Sequence, residues 1–423
     1  MAGSSLRTRH SAVWHVERLI YRVAGLPLAV AALFTSSSEA PAASLRAMYA
    51  ANYWRPADLP DLAELLLASL VWPVGLIAAA AWYAWMNGRV VRECCGKSRP
   101  RQFVEEVRAY FSAGVLPPWY YMFELYDGRA DCRSYLNRFE TKQGYYPIIR
   151  RLRGEISALN DKIAFAETCR AHQLRTIPLV ATASAGEVIL LGGEHLPPCD
   201  LFVKPANGRG GKGTERWDHA GHGRYIDGEA KALDEAGFLE RLGRRSHSAS
   251  LVVQPRLRNC AGLRDLNNDA LSTVRIVTCL DEEDRAEVVA GVMRMAVGDN
   301  HKVDNFHAGG IAAAVDLPSG ELGSASDLGM DARMGWVERH PDSGAQIRGR
   351  VVPGWREACA LAERAHRAFP ERAVIGWDIA PTEDGPVIVE GNAAPDFDIV
   401  QRMTRSGLAE SRLGKLLLHH MNA

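Results

Sequence analysis

From Leu65 to Met86 the chain runs LLLASLVWPVGLIAAAAWYAWM, 22 residues without a charge. About 20 apolar residues are what an α-helix needs to cross a hydrocarbon core, so this run must be covered by lipid or by protein. Trp82, Tyr83 and Trp85 gather at its C-terminal end, as an interfacial aromatic belt would. Arg89, Arg92, Lys97, Arg99 and Arg101 follow, whereas the fifteen residues before the run hold only Arg55 as a cation. A single-pass helix over 65–86 would therefore leave the larger C-terminal part in the cytoplasm. Pro73 and Gly75 within the run keep a second reading open, the buried helix of a soluble domain.

Whole-chain averages conceal this segment. Mean hydropathy over 423 residues is −0.15, a value that looks soluble. Lys+Arg and Asp+Glu both number 50, so the chain lacks the basic excess that phosphate backbones require, and no nucleic-acid partner is expected. Eight cysteines are scattered without a CxxC spacing, which argues against a disulfide framework or a zinc site and for a reducing compartment. Ahead of the apolar run, Val23–Phe34 follows Arg7, Arg9, Arg18 and Arg22. A signal, an amphipathic helix and a soluble lid all remain open for residues 1–60.

Beyond residue 100 the pattern is that of a soluble α+β region. Phe103–Phe111 and Ile156–Ala171 read as helices, and 201–204, 251–254, 273–280 and 288–295 as strands. The chain divides into a leader (1–64), the candidate transmembrane helix (65–86), a helical linker (87–147) and a catalytic domain (148–423). Removing everything before Gly88 is expected to leave a soluble fragment.

The segment LFVKPANGRGGKGT, residues 201–214, joins a strand to four glycines in six residues. Glycine-rich backbone can wrap phosphate oxygens, and a lysine adds a point charge. A Walker loop needs Ser or Thr after the lysine, but Gly213 follows Lys212. A dinucleotide fold needs a helix next, and TERWDHAGHGRY is not helical in period. A hairpin closing over a triphosphate fits, against the plainer alternative of a surface turn.

A second constellation is GWDIAPTEDGPVIVEGN, residues 376–392. If Glu383-Asp384-Gly385 forms a three-residue loop between two strands, Asp378 stands opposite Glu390, with Asn392 on the same face. Facing carboxylates repel unless a cation lies between them, and Mg²⁺ takes oxygen ligands of this kind. A solvated hairpin edge is the alternative.

In combination these motifs resemble the ATP-grasp superfamily over about residues 120–410. Lys162, after Asp161, is similar to the first ATP-grasp lysine and Lys204 to the second; Gly208, Gly210, Gly211, Lys212 and Gly213 match the mobile phosphate loop. LVVQPRL, 251–257, resembles the hinge strand beside adenine, bringing Gln254 and Leu257 toward the nucleotide. Arg294 and DNFHAGG, 304–310, which contains Asn305 and His307, are similar to segments of the ribosomal-protein glutamate ligases. Asp378, Glu390 and Asn392 match the magnesium set. STVRIVT (272–278), VDNFHAGG (303–310) and IGWDI (375–379) bring the chain nearest to the sugar-transfer-associated branch.

The resemblance implies an α+β ATP-grasp fold, two α+β subdomains clamping ATP, preceded by the helical N-terminal region. It also implies ATP and Mg²⁺ as cofactors, and a carboxylate–amine ligase acting through an acylphosphate in surface-polysaccharide or glycoconjugate synthesis. Sugar-linked substrates and glycosyltransferase partners belong to that expectation. Arg275 and Arg294 would bind the acylphosphate or the substrate carboxylate, although Arg275 in an apolar strand also suits a structural ion pair. His307 is either a base or a loop anchor. A hydroxyl phosphotransferase and a non-catalytic ATP-binding accessory are the competing functions.

Overall fold

A computed structural model describes residues 19, 22, 23, 25, 26, 28–30, 32, 40–56, 58–154, 157–207, 213–267, 270–298, 309–332 and 335–422. The chain forms two compact units. One comprises Met1–Arg153, Leu328–Trp336 and Asp396–Ala423, the other Gly154–Asp327 and Val337–Pro395.

The first unit is helical. Its longest element, Leu59–Cys95, contains the whole apolar run. Asp58 caps it, accepting a hydrogen bond from the Asp61 N–H, and Gly96 ends it in the left-handed conformation. Its most apolar 18 residues have a mean hydropathy of 2.0, and only 22% of that window is buried. The buried stripe is Leu65, Ala68, Leu76, Ala80, Ala84, Asn87 and Val91. An antiparallel companion, Arg99–Ala113, packs beside it: Trp72 stacks on Tyr110 at 5.6 Å, and the Gln102 amide donates to the Gly88 carbonyl. Gly88 is required there, since a Cβ would fall 2.2 Å from the Arg99 side chain. Elsewhere in this unit, Arg46 of helix Pro41–Tyr53 pairs with the buried Glu140 at 3.2 Å, and the Ala42 N–H donates to Glu410.

The second unit contains two antiparallel sheets. Strands β1 (Ala181–Ser184), β2 (Glu187–Leu190), β3 (Leu201–Pro205), β4 (Glu215–His219), β5 (Arg224–Asp227), β6 (Ala232–Asp234) and β7 (Leu251–Pro255) form the first, in the order β2-β1-β7-β3-β4-β5-β6. Alternation sends Leu201, Val203, Leu251 and Val253 to one face, where they pack on Trp217, Phe238 and Leu242. Lys204 and Gln254 therefore belong to the opposite face, since Phe202 pairs with Gln254 and Lys204 with Val252.

Strands β8 (Thr273–Leu280), β9 (Ala286–Met295), β10 (Ile311–Val315), β11 (Leu322–Ser326), β12 (Val374–Thr382) and β13 (Gly385–Asn392) form the second sheet, ordered β11-β10-β9-β8-β12-β13. The helix expected over 156–171 begins at Lys162, because Asp161 accepts from the Ile163 and Ala164 N–H groups and fixes the start.

The β12–β13 hairpin departs from the expected turn in an instructive way. Thr382 pairs with Gly385, so the loop has two residues, Glu383 and Asp384, where three were expected. Alone, that loop would shift every partner by one. A bulge at Val389 restores the register: Ile379 pairs with Ile388, but Asp378 pairs with Glu390.

Candidate active site

Four strands of the second sheet bring their charged residues to one face. Arg275 on β8 is the register partner of Asp378 on β12, which is the partner of Glu390 on β13. Arg294 on β9 is opposite Thr273, two residues from Arg275 and on the same side. Asn392 lies two residues beyond Glu390, opposite Gly376.

The charges meet. Arg275 forks onto Asp378, its Nε donating to Oδ1 and its Nη2 to Oδ2 at 3.0 Å. Arg294 Nη2 reaches the same Oδ2 at 2.9 Å, while its Nε donates to Thr273 Oγ1 at 3.1 Å. Asp378 is only 3% exposed. Burial alone would raise its pKa, yet the two guanidiniums and a hydrogen bond from Glu390 pull it well below the usual carboxylate range. Glu390 moves the other way. Burial and the Asp378 charge raise it, against the opposing pull of Lys204 and Arg275.

Lys204, on the first sheet, is buried within electrostatic reach of Glu390. It is 8% exposed, and burial lowers its pKa to about 8, with Glu390 opposing that shift and Lys162 adding to it. Lys162 donates to the Ala206 carbonyl at 3.2 Å, just past the end of β3. The two lysines, two arginines and two carboxylates thus share one electrostatic neighbourhood, although they derive from five strands and a helix N-terminus.

Profile comparison assigns residues 143–415 to the sugar-transfer-associated ATP-grasp family. The chain belongs to that family. Its fold is accordingly the α+β ATP-grasp fold, with the apolar helix Leu59–Cys95 ahead of it. No curated protein sequence matches the chain. Among solved structures, it is similar to an L-amino acid ligase from Bacillus licheniformis at 13% identity and a TM-score of 0.34, covering 61% of this chain and 48% of that one. It is also similar to N5-carboxyaminoimidazole synthase from Aspergillus clavatus (11%, TM-score 0.30, 57% and 46%). A third is D-alanyl-alanine synthetase A from Vibrio cholerae (10%, TM-score 0.34, 62% and 64%). The chain spans about half the length of the first two.

For this ATP-grasp chain, several expected site residues have other engagements. The Gln254 amide donates to the Ile177 carbonyl at 3.2 Å, which ties it into the backbone. Leu257 is half-buried just past β7. Gly213 takes a φ of +73°, and its carbonyl accepts from Arg245. Gly208, Gly210, Gly211, Lys212, Asn305 and His307 lie outside the described residues. The double guanidinium grip on Asp378 was not expected. The sequence holds half of its signal, an Arg in an apolar strand, but not the pairing across strands about 100 residues apart.

Asp378, Glu390 and Asn392 offer two carboxylates and a carboxamide, hard oxygen donors of the kind Mg²⁺ takes. Among the described residues no three His, Cys, Asp or Glu side chains converge, so a cation here would complete its shell with phosphate oxygens and water. A cation there would offset the burial and the Asp378 charge that raise the Glu390 pKa, and so favour its ionised form. The residues fit the ion.

Proposed function

We propose that this chain is an ATP- and Mg²⁺-dependent ligase that joins a carboxylate to an amine during glycoconjugate synthesis. One observation carries the reading: Arg275 and Arg294 converge on Asp378, the register partner of Glu390, on one face of the second sheet, and the buried Lys204 of the first sheet feels the Glu390 charge. That density of cations around a carboxylate pair suits a polyphosphate and an anionic acceptor.

Lys162 and Lys204 bind and neutralise the triphosphate. Arg275 and Arg294, held in position by Asp378, orient the substrate carboxylate for in-line attack on the γ-phosphorus. Attack forms the acyl–oxygen–phosphorus bond and releases ADP; an amine then attacks the acyl carbon, forms the amide and expels phosphate. Asp378, Glu390 and Asn392 would hold Mg²⁺, which would supply charge neutralisation for the phosphates. The family description supports a role in sugar-linked chemistry.

Hydroxylamine trapping with a panel of amino acids and uronic acids tests this. An acylphosphate yields a hydroxamate with ADP. Steady ADP release with a phosphorylated hydroxyl product instead means a phosphotransferase, and ATP binding without turnover means an accessory.

A further inference from the structure

We infer that the chain docks onto the surface of an anionic lipid bilayer through the exposed face of helix Leu59–Cys95, which lies in the interface and does not cross it. The inference is independent of the ligase reading.

Leu66, Leu70, Val74, Ile77, Ala81 and Trp85 follow at spacings of three and four, so they share one side of the helix. All six are exposed, Leu70 by 76% and Val74 by 73%. From Leu66 to Trp85 this side extends about 28 Å without a charge. Leu67, Val71 and Trp82 widen it. An apolar surface of that extent marks an interaction site in a folded chain.

What covers it is indicated by the companion helix. The pairs Trp72 with Tyr110, Gly88 with Gln102 and Gly88 with Arg99 fix the antiparallel alignment. That alignment sets Glu105 and Arg108 alongside the C-terminal half of the apolar run, with Arg101 beside Gly88 at its end. Glu105 pairs with Lys97 at 2.6 Å and with Arg101 at 3.0 Å, and the buried Glu106 accepts from the Tyr121 hydroxyl at 2.7 Å. A spanning helix would draw this charged flank to the depth of the hydrocarbon, where ionised side chains are costly. A helix lying flat leaves the flank at headgroup level.

Beyond Arg99 and Pro100 in its first turn, the exposed positions of the companion, Arg101, Val104, Arg108 and Phe111, alternate cation and apolar group along one side. Arg89 and Arg92 add exposed charge beyond Trp85. Long arginine side chains beside an apolar face match lipid phosphates, and Trp82 and Trp85 match the interfacial layer.

The test uses the full-length protein with vesicles of phosphatidylcholine, alone or with added phosphatidylglycerol. Flotation with the anionic vesicles is expected, together with quenching of tryptophan emission by shallow more than by deep brominated lipids. L70E/V74E should reduce vesicle binding at least about tenfold with an unchanged thermal melt. R101E/R108E should remove the preference for anionic lipid. In a Leu59→Cys variant, an impermeant maleimide added outside should modify both the introduced thiol and the exposed Cys94, read peptide by peptide. Protection of one end until detergent is added would establish a span and overturn the inference. So would a dimer in lipid-free solution with no flotation, which would give the face to a second copy.

Discussion

Asp378 serves two masters, since the guanidiniums of Arg275 and Arg294 converge on the carboxylate expected to hold a cation. Removing its charge should therefore cost more than its neighbour's. Asp378→Asn leaves two largely buried arginines without an anion, and a loss of about 3 kcal/mol in urea unfolding is expected. Glu390→Gln removes a carboxyl whose charged form burial and the Asp378 charge already disfavour, so it should cost less stability than Asp378→Asn. Both substitutions should abolish the Mg²⁺-dependence of ATP binding, measured by titration calorimetry. Equal destabilisation by the two would contradict the opposite directions in which the site shifts the two carboxyls. Lys204 supplies a pH signature. Its folded pKa of about 8 lies below the 10.5 of a free lysine, so the unfolded chain holds more protons between those values. Stability should rise with pH across that window, and Lys204→Met should flatten the rise while adding on the order of 2–3 kcal/mol at neutral pH. ATP should bind more weakly as pH climbs through 8, because the phosphates need the protonated amine.

At the scale of elements, the β12–β13 hairpin shows how a correct pairing can rest on an incomplete reason. Residue identities and the two-residue period of a strand suffice to set Asp378 against Glu390 once the register is assumed. The register itself comes from the Val389 bulge, and no residue type at 389 announces one. Gly385 has a φ of +103°, so Gly385→Ala should cost about 1 kcal/mol or more in thermal unfolding. Mg-ATP affinity should nonetheless hold, because the bulge and not the turn aligns the carboxylates. A matching fall in affinity would return that role to the turn. Strands β3, β7 and β8 and the lysine on β3 were legible because alternation and glycine punctuation are local signals. The Arg275–Asp378 pair and the charged companion of the apolar helix were not, since each depends on which distant segments become neighbours.

At the scale of the molecule, helices Pro41–Tyr53 and Leu59–Cys95 belong to the same folded unit as residues 99–153. A chain beginning at Gly88 loses Trp72 and Tyr83, which stack on Tyr110 and Tyr121, and leaves Glu140 without Arg46. Loss of one partner of a buried pair costs roughly 3–5 kcal/mol. Such a fragment should aggregate on size-exclusion chromatography, contrary to the soluble product expected from sequence. Recovery of a monodisperse, cooperatively melting fragment would show the region to be dispensable. The unit is also assembled from three stretches of chain, the last being Asp396–Ala423. Helix Pro41–Tyr53 waits for Glu410 and for helix Arg412–Asn422, which packs on it and leaves the ribosome last. At about 5–20 residues per second, the apolar helix emerges some 20–60 s before the unit can close. In a cell, whatever first meets that helix, bilayer or chaperone, meets a chain still being made, so the choice of compartment precedes the completion of the fold.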